Sequence, residues 1–383
     1  MAHIHISLVG GQAYPAYLAI KALNPDKAVL IHSAQSRAEA ERIKAELDME
    51  TELREFDSVQ LHKIDEGVKA LKQSIPGDAL CTINLTSGTK PWSLFFYQNF
   101  MSREKTEFFY VDQNNTLYDL RTFERYSTES IPLDMDALFR LNGNPAKSKI
   151  AFTDYNTADL NTMKSIEKVR NKYPQLYSRF TLLSGDEKKR VNQREGRIGE
   201  DNGSFIEWNR LDSDGLQTLN LEFCRYDVTM EKQLHSPHAV ELFFNSHWFE
   251  LKVAEILSTW DKAKAVWMNV EFPYRNNAPK NEIDVIVETT VGKLLFVECK
   301  TQISDNTDID KFASAVKNYG GMASKSLFVT LTPMQSKAIE KCETNRILSF
   351  SLTKKSQSSL LRDVDVKVLY DRLDKELIEI NKK

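Results

Sequence analysis

Two ionisable side chains end the apolar stretch LLFVECKT, residues 294–301. Leu294 to Val297 is typical of a buried strand, yet Glu298 and Lys300 follow it directly. Residues two apart on a strand point to the same face of a sheet, so this carboxylate and this amine are expected to lie side by side. A Glu-x-Lys pair alone is common at the surface of proteins, so its surroundings decide whether it is a site.

The stretch before it supplies a second carboxylate. Ile283 to Val287 and Leu294 to Val297 are joined by a short link, which predicts an antiparallel hairpin centred near Val291. In that register Asp284 lies opposite Glu298, with the two Cβ atoms roughly 5 Å apart. Carboxylates this close repel each other unless a cation lies between them, and their oxygen atoms suit Mg²⁺ or Mn²⁺.

Lys300 would then lie beside the same metal ion. A metal-bound water supplies a nucleophile, and an ammonium group stabilises the negative charge that develops on a phosphate under attack. Asp284, Glu298 and Lys300 together therefore predict a centre that hydrolyses phosphodiesters.

A preceding helix, predicted over 247–260, offers a fourth group. Glu250 lies on one stripe with the apolar Val253, Ala254 and Leu257, whereas Glu255 lies on the more polar side. Glu250 is therefore the helical carboxylate that we expect in the centre.

The elements around these residues follow one another as helix, three strands, helix, strand. The pattern predicts strands near 265–272, 282–288 and 293–300, a helix over 308–319 that stops at Gly320-Gly321, a strand over 326–332 and a helix opening at Pro333.

NEIDVIV and FVECKT in this order resemble the PD-(D/E)XK nuclease core, with Asp284, Glu298 and Lys300 at its three signature positions. HWFELKVAEIL is similar to the helix that supplies an additional glutamate, here Glu250. One departure is that no proline precedes Asp284. The resemblance implies that the backbone carbonyl of Cys299 also binds the metal.

The first ~125 residues alternate strand and helix patterns, which indicates a parallel, Rossmann-like sheet. The pattern predicts strands at 4–9, 28–31, 53–56 and 80–85, a hairpin of 108–111 with 117–120, and helices at 13–23, 36–47, 61–75 and 91–101. Ser36 with Glu39 predicts a capping box for the second helix.

INLTSGTKPW, residues 83–92, is a strand and a small polar loop that opens a helix at Pro91. Such a loop presents backbone N–H groups to an anion, and Lys90 adds positive charge. It is not a Walker A loop, and no G-x-G-x-x-G follows the first strand, which disfavours a dinucleotide-dependent oxidoreductase.

Ligands of open α/β sheets bind at the carboxyl ends of the strands, where the loops at 10–12, 33–35 and 86–90 should gather. NLTSGTK resembles the NLTGGTK signature of CARF (CRISPR-associated Rossmann fold) domains, with Ser87 in place of one glycine. The resemblance implies contacts to a cyclic oligoadenylate messenger, commonly cyclic tetra-adenylate, from these residues: Gly10, Gly11, Gln12, Ser33, Thr86, Ser87, Gly88, Thr89 and Lys90.

With both ends considered, the chain resembles the CARF-fused PD-(D/E)XK nucleases of type III CRISPR systems. That family implies a homodimer in which the bound messenger switches on metal-dependent cleavage of DNA or RNA. We therefore expect an α/β chain of three parts: a Rossmann-like CARF domain (1–145), a small α+β connector (146–240) and a PD-(D/E)XK restriction-endonuclease-like domain (241–383). The connector, with helices near 158–182 and a hairpin of 205–208 with 219–223, is predicted to be winged-helix-like.

Composition bounds the remaining possibilities. The 383 residues are 41% hydrophobic and 27% charged, with no apolar run near the ~20 residues that cross a membrane. The first residues, MAHIHISLVGG, have no basic region and no long apolar core, so we do not expect a signal peptide. Four isolated cysteines indicate reduced thiols in a cytoplasmic protein. The net charge of −3 restricts any nucleic-acid contact to local patches.

Two functions from different classes therefore stand. The first is a messenger-activated, metal-dependent nuclease. The alternative is a ligand-responsive transcriptional regulator, in which a CARF sensor and a winged-helix connector use the nuclease fold as an inactive scaffold. An intact Asp284, Glu298 and Lys300 set favours the nuclease, because a scaffold does not need it.

Overall fold

The computed structural model describes residues 1–113, 115–126, 134–210, 215–225, 228–244, 246–273, 281–303, 306–321, 324–355 and 361–378. Their buried hydrophobic residues form three clusters. Asn114 and residues 212–214, which the sequence places in hairpin turns, lie outside the described ranges.

The N-terminal domain is built on a six-stranded sheet. Its strands are β1 (His3–Leu8), β2 (Lys27–His32), β3 (Glu50–Glu55), β4 (Leu80–Asn84), β5 (Thr106–Val111) and β6 (Leu117–Asp119). Their order is β3-β2-β1-β4-β5-β6, with β1 to β5 parallel and β6 antiparallel to β5. The predicted Rossmann-like sheet and its terminal hairpin are confirmed, and the order in which successive strands are added reverses between β1 and β4, which is the topological switch point.

Five helices cover this sheet: α1 (Tyr14–Leu23), α2 (Arg37–Ala45), α3 (Leu61–Ser74), α4 (Lys90–Phe100) and α5 (Met135–Leu141). Helices α3 and α4 pack on one face, while α1, α2 and α5 belong to the cluster on the other. The buried positions of α3 are Ile64, Val68 and Leu71, at the three- and four-residue steps that predicted an amphipathic helix.

The predicted capping box of α2 is wrong. Ser36 precedes the helix but makes no capping hydrogen bond to it. Its hydroxyl instead donates to the carbonyl of Val9, 2.9 Å away, and Glu39 accepts from Arg42. The Ser36 hydroxyl thus bonds to Val9 rather than to the first turn of α2, because Ser36 lies where the loops after β1 and β2 meet.

The connector holds helices followed by an antiparallel sheet. Its elements are β7 (Ser148–Ala151), a 3-10 helix (Phe152–Asp154), α6 (Thr157–Lys172), α7 (Pro174–Thr181), α8 (Gly185–Val191), β8 (Glu195–Gly199), β9 (Phe205–Asn209), β10 (Gln217–Arg225) and β11 (Val228–Ser236). The sheet order is β11-β10-β9-β8. The predicted hairpin, β9 with β10, is confirmed by their pairing, whereas the sequence did not predict α8, β8 or β11.

The C-terminal domain follows. Its elements are α9 (Ala239–Phe244), α10 (His247–Ser258), β12 (Ala263–Glu271), β13 (Glu282–Thr289), β14 (Leu294–Lys300), α11 (Thr307–Tyr319), β15 (Ser324–Thr330), α12 (Ser336–Thr344), β16 (Leu348–Ser351), β17 (Thr353–Lys355), β18 (Leu361–Asp363) and α13 (Val366–Ile378). The main sheet has the order β16-β15-β14-β13-β12-β7, so the edge strand β7 comes from the stretch assigned to the connector.

The pairing of β13 with β14 has the predicted register, with Val287 opposite Leu295 and Val285 opposite Val297. Helix α11 ends at Tyr319, directly before the predicted stop at Gly320-Gly321. The last predicted helix begins at Ser336 rather than Pro333, and the Met334 N–H before it donates to the Ser351 hydroxyl.

Strand β14 alternates between two cores. Leu295 and Val297 belong to the cluster that contains α10 and the connector. Leu294 and Phe296 belong to a cluster that continues into α1, α2 and α5 of the N-terminal domain. Glu298 and Lys300 follow Phe296 at steps of two, so β14 contacts the N-terminal domain through the same face that carries these two residues.

Among the residues that the structure describes, no helix is long and apolar enough to span a membrane.

Candidate nuclease centre and ligand-binding loops

Asp284 and Glu298 lie at neighbouring positions of β13 and β14. The observed pairing of the two strands ends at Val285 and Val297, and one further step of the same register would place Asp284 opposite Glu298. Both are buried, at 5% and 2% exposure, and the backbone N–H of Cys299 donates to Asp284 Oδ2 at 2.8 Å. This hydrogen bond fixes one carboxylate against the strand that carries the other.

Lys300 lies beside Glu298. Its Nζ is 2.8 Å from Glu298 Oε1, and its side chain is about a third exposed while the carboxylate is buried. A buried carboxylate needs such a partner, because burial of an unpaired charge is costly. The Lys300 ammonium group therefore pairs with the buried carboxylate of Glu298 and is itself partly exposed to solvent at the end of the sheet.

The pKa of the Cys299 thiol depends on the charged residues of the centre. Burial raises the pKa of its thiol well above the usual value, and the charges of Asp284, Glu250 and Glu298 raise that pKa further, whereas Lys300 lowers it. The four residues predicted to be catalytic thus all lie close enough to act on one thiol. That thiol stays protonated and unreactive at neutral pH.

Glu250 occupies the first turn of α10, and its side chain is largely buried, as its apolar stripe predicted. Glu255, which the sequence placed on the polar side, instead pairs with Lys164 at 3.2 Å. The two glutamates therefore have different surroundings, and Glu250 is the one that acts on Cys299.

His247 is a residue of the centre that sequence reasoning missed. Its Nε2 lies 3.9 Å from Glu250 Oε2. Burial lowers the pKa of His247, and the charge of Asp284 acts in the opposite direction, so the imidazole lies near both carboxylates. The signal for it was its spacing of three from Glu250 on one helix, which places both side chains on one face.

The donor atoms here suit a hard divalent cation. Within the described ranges, no three His, Cys, Asp or Glu side chains are already grouped as a metal cage. Mg²⁺ does not require one, because it is usually held by one or two carboxylates with waters completing its shell. Asp284 and Glu298 meet that requirement with oxygen donors alone.

The loops after β1 and β4 are in contact through glycines. A Cβ on Gly10 would lie 3.0 Å from the backbone nitrogen of Gly88. Gly88 has φ +82°, and a Cβ there would lie 2.7 Å from the ring of Trp92. Both positions need glycine, the second for its left-handed backbone as well as for space.

Thr86 holds this loop in place. Its hydroxyl donates to Asn84 Oδ1 and accepts from the Val111 N–H at 2.6 Å. Asn84, buried at the end of β4, also donates to Ser7 Oγ and to the Pro15 carbonyl. The hydroxyl of Thr86 is thus engaged within the protein, and Asn84 is a supporting residue that the sequence analysis did not identify.

Ser33 and Thr89 also have structural partners. Ser33 is buried, with its N–H donating to Ser36 Oγ at 3.1 Å. Thr89 caps α4 by accepting from the N–H of Trp92. Lys90 is exposed at the start of the same helix.

Six of the nine predicted messenger contacts line one open cavity of about 260 Å³. They are Gly10, Gly11, Gln12, Thr86, Ser87 and Gly88. The rest of the lining was not predicted and consists of Pro15 and of Tyr110, Val111, Asp112 and Gln113 from the end of β5 and just beyond it. Ser33, Thr89 and Lys90 do not line it.

Two known protein families match the two parts of the chain that hold the glycine loops and the nuclease centre. Residues 4–133 match the Card1 CARF domain, and residues 238–363 match the Card1-like endonuclease domain. The chain is a CARF-domain endonuclease. The first match spans the glycine loops, and the second spans Glu250, Asp284, Glu298 and Lys300.

Solved structures share the whole fold of this CARF-domain endonuclease. Can2 from Sulfobacillus thermosulfidooxidans, in complex with cyclic tetra-adenylate, is 17% identical with a TM-score of 0.67, over 98% of this chain and 99% of that one. Protein VC1899 from Vibrio cholerae is 14% identical with a TM-score of 0.67, over 99% and 97%.

A type III CRISPR defence DNA nuclease activated by cyclic oligoadenylate is also similar. It is 17% identical with a TM-score of 0.54, and the match covers 94% of this chain but 50% of that one. No curated protein matches the chain by sequence.

Proposed function

We propose that this CARF-domain endonuclease cleaves DNA or RNA with a divalent metal ion when its CARF domain binds a cyclic oligoadenylate, as part of type III CRISPR antiviral defence. The observation that carries the proposal is the intact set of Asp284, Glu298 and Lys300 at one end of a sheet, with Glu250 beside them. A transcriptional regulator that used this fold as a scaffold would have no need to keep two buried carboxylates so close together.

Asp284, Glu298 and the backbone carbonyl of Cys299 are the groups that would hold Mn²⁺ or Mg²⁺. When bound, the ion supplies an activated water and neutralises charge on the phosphate. Lys300, partly exposed at the mouth of the centre, is placed to contact a phosphate oxygen and stabilise the charge that develops there. Glu250 and His247 orient the groups behind it.

The messenger site is assigned to the glycine-lined cavity. Gly10, Gly11 and Gly88 expose backbone at the carboxyl ends of β1 and β4, where the backbone N–H groups can approach a phosphate closely. Lys90, exposed at the start of α4, adds positive charge. Can2 binds cyclic tetra-adenylate on the same fold, so that ring is the first messenger to test.

A homodimer follows from the symmetry of the messenger. A ring of four identical nucleotides has two-fold symmetry, so two copies of the chain can each offer the same loops to half of it. Binding then activates the nuclease only insofar as the ring binds the active arrangement more tightly than the resting one.

The experiment measures cleavage of single-stranded DNA, RNA and supercoiled plasmid with Mn²⁺, with and without cyclic tetra-adenylate. Wild type should cut only with both, and Asp284→Ala should lose cleavage while it keeps messenger binding. Asp261→Ala, which changes an exposed aspartate of the same domain, is the matched control and should behave as wild type.

Cleavage that survives in Asp284→Ala would remove the carboxylate from the mechanism. Messenger binding without cleavage of any substrate, with either metal, would favour the regulator instead. Loss of messenger binding in Asp284→Ala would mean that the residue is structural.

A further inference from the structure

A groove opens along the edge of the nuclease sheet that β16 forms. Helix α12 packs on one face of this sheet through Ala338 and Cys342, and α13 packs on the other through Leu369 and Leu373. The groove lies between these two helices and has a volume of about 870 Å³. None of the residues assigned to the nuclease centre or to the messenger loops lines it.

Part of the lining of this edge groove is apolar. Leu348 and Phe350 come from β16, Ile339 from α12 and Val364 from the segment before α13. Ile339 is 37% exposed, so this apolar surface is open to a ligand. Grooves that bind single-stranded nucleic acid combine such surfaces, on which bases lie, with cations that hold the phosphates.

Cations dominate the charged lining of the edge groove. Only Glu343 and Glu376 are negative, against five positive residues: Lys325, Arg346, Lys354, Lys355 and Arg372. Within the described ranges none of these five forms an ion pair, whereas Lys341 of α12, outside the groove, pairs with Asp310 at 2.6 Å. A cluster of unpaired cations on a chain of net charge −3 suits a polyanion.

The edge groove begins close to the nuclease centre. Lys300 on β14 pairs with Thr330 on β15, and Thr330 pairs with Ser351 on β16. Neighbouring strands are about 4.8 Å apart, so Ser351, which lines the groove, lies about 10 Å from Lys300 along the same end of the sheet.

The loop after β15 connects the groove to the centre. The Thr332 hydroxyl donates to the carbonyl of Thr301, the residue after Lys300, at 3.2 Å. The next two residues, Pro333 and Met334, line the groove. A strand held at Lys300 can therefore continue over this loop into the groove.

The edge of β16 is not open to a peptide that would extend the sheet. Arg372 Nη1 donates to the carbonyl of Ser349 at 2.7 Å, so a backbone acceptor of the edge strand is already used. Addition of a peptide strand depends on such main-chain groups. The charge of the lining and this occupied carbonyl therefore favour nucleic acid over a peptide strand.

We propose that the edge groove binds a single strand of nucleic acid that flanks the phosphate to be cleaved. The cations hold its phosphates, and the apolar lining takes its bases, which must be unpaired to reach it. Binding of the strand rests on charge and position, whereas its role as a substrate subsite rests on the proposed function.

The test compares wild type with Lys354→Gln/Lys355→Gln, which removes two exposed cations of the groove. Anisotropy of a labelled single strand of about 20 nucleotides, as DNA and as RNA, measures binding with cyclic tetra-adenylate and with EDTA to prevent cleavage. The dissociation constant should rise at least about fivefold. The slope of log affinity against log salt should fall by about 1.4, which is about 0.7 for each lost phosphate contact.

Lys367→Gln/Lys375→Gln is the matched control, because it removes the same charge from exposed positions of α13 that do not line the groove. It should bind the strand as wild type does. With Mn²⁺ and messenger, Lys354→Gln/Lys355→Gln should raise the KM for the same strand rather than lower kcat, and the control should change neither. Tm measurements confirm that each variant folds.

Three results would overturn the edge groove as a single-strand site. Equal affinity of the two double variants would show that the groove does not hold the strand. Binding of a duplex of the same sequence as tightly as the single strand would remove the role of unpaired bases. Equally tight binding of a polyglutamate peptide would indicate an acidic peptide as the occupant.

The groove and the proposed function fail differently. Wild type that binds single strands through Lys354 and Lys355 but cleaves nothing with any messenger or metal would contradict the proposed function and leave the groove as a nucleic-acid site. Messenger-dependent cleavage with an unchanged KM in Lys354→Gln/Lys355→Gln would contradict the groove and leave the function standing.

Discussion

The ring of Phe139 stands edge-on to the ring of Phe296, with centroids 6.3 Å apart and planes at 75°. Phe139 belongs to α5 of the CARF side, and Phe296 lies on β14, two residues before Glu298 and on the same face. A second edge-on contact joins Phe139 to Phe272, at 4.9 Å. Helix α5 therefore packs on the same face of β14 that carries Glu298.

The other side of α5 is tied to the sensor. Arg140 makes two hydrogen bonds to the carboxylate of Glu46, at 2.6 and 2.9 Å, and Arg42 Nε donates to the carbonyl of Leu141 at 2.7 Å. The loop that follows reaches the nuclease domain again, where Asn144 Nδ2 donates to the carbonyl of Asn318 at 2.8 Å. These contacts connect the C-terminal end of α2 through α5 and the loop after it to both β14 and α11.

We expect Phe139→Leu to uncouple messenger binding from cleavage. The smaller side chain loses both edge-on contacts but keeps the site apolar, so the domain should fold at a cost of about 1–3 kcal/mol. Messenger affinity should stay within about threefold of wild type, while stimulation of cleavage by saturating messenger falls at least about tenfold. Titration of messenger binding and of cleavage on the same preparation measures both.

Phe100→Leu is the matched control, because Phe100 is equally buried but packs on the opposite face of the CARF sheet. Equal loss of stimulation in both variants would show a general loss of stability and count against a route through α5.

Sequence reasoning found the strands and the register of the nuclease centre because both are local properties. Two apolar runs, β13 and β14, and the short link between them determine which residues face each other, and so their register followed from spacing alone. The Glu250 stripe on α10 was visible for the same reason, at helical spacing.

Helix α5 was not predicted because the contacts that stabilise it are made with residues far away in the sequence. Its seven residues are shorter than the window in which periodicity is measured, and its buried Phe139 has its partners Phe272 and Phe296 far along the chain. Ser36 escaped for a related reason, since the Val9 carbonyl that accepts from its hydroxyl lies in the loop after β1, 27 residues earlier in the chain. His247 was visible as a residue but not as a neighbour of Asp284, which only the fold brings close.

Lys300 has two roles that substitution can separate. Lys300→Met should abolish cleavage and also lower the Tm, because it leaves the buried Glu298 carboxylate without its ammonium partner, at a cost of about 1–3 kcal/mol. The double variant Glu298→Gln/Lys300→Met removes the charge as well and should regain most of the Tm while it stays inactive. If the Tm of the double variant were no higher than that of Lys300→Met, the ion pair would not be what stabilises the strand end.

Gly88→Ala should weaken messenger binding by at least about tenfold. An alanine at φ +82° pays about 1–2 kcal/mol for the left-handed backbone, and its Cβ would displace the ring of Trp92 from the loop. Calorimetric titration with cyclic tetra-adenylate measures the change. Gly77→Ala serves as control, since a Cβ there meets nothing within 4 Å and the backbone is not left-handed. Unchanged affinity in Gly88→Ala would place the messenger elsewhere.

A partly buried ion pair joins the connector to the segment before α9. His238 Nδ1 lies 3.0 Å from Asp159 Oδ2, and the N–H of His238 donates to Asp159 Oδ1 at 3.0 Å. The hydrogen bond with Asp159 raises the pKa of His238. Burial pushes the pKa of Asp159 upwards, but its hydrogen bonds outweigh that effect and hold the pKa below its usual value.

This pair should make the stability of the protein depend on pH. The His238 contribution is complete below 6.5, its ordinary pKa, and is lost as the pH rises through the raised value. The Asp159 contribution is complete above 3.8 and is lost as the pH falls through the lowered value. The Tm difference between wild type and His238→Gln should therefore be largest near about pH 5.5 and shrink towards pH 9. His62→Gln, at an exposed position of α3, should show a small difference at every pH. A His238→Gln difference that stayed constant from pH 5.5 to 9 would mean that His238 stabilises the connector by packing against Tyr155 rather than by its charge.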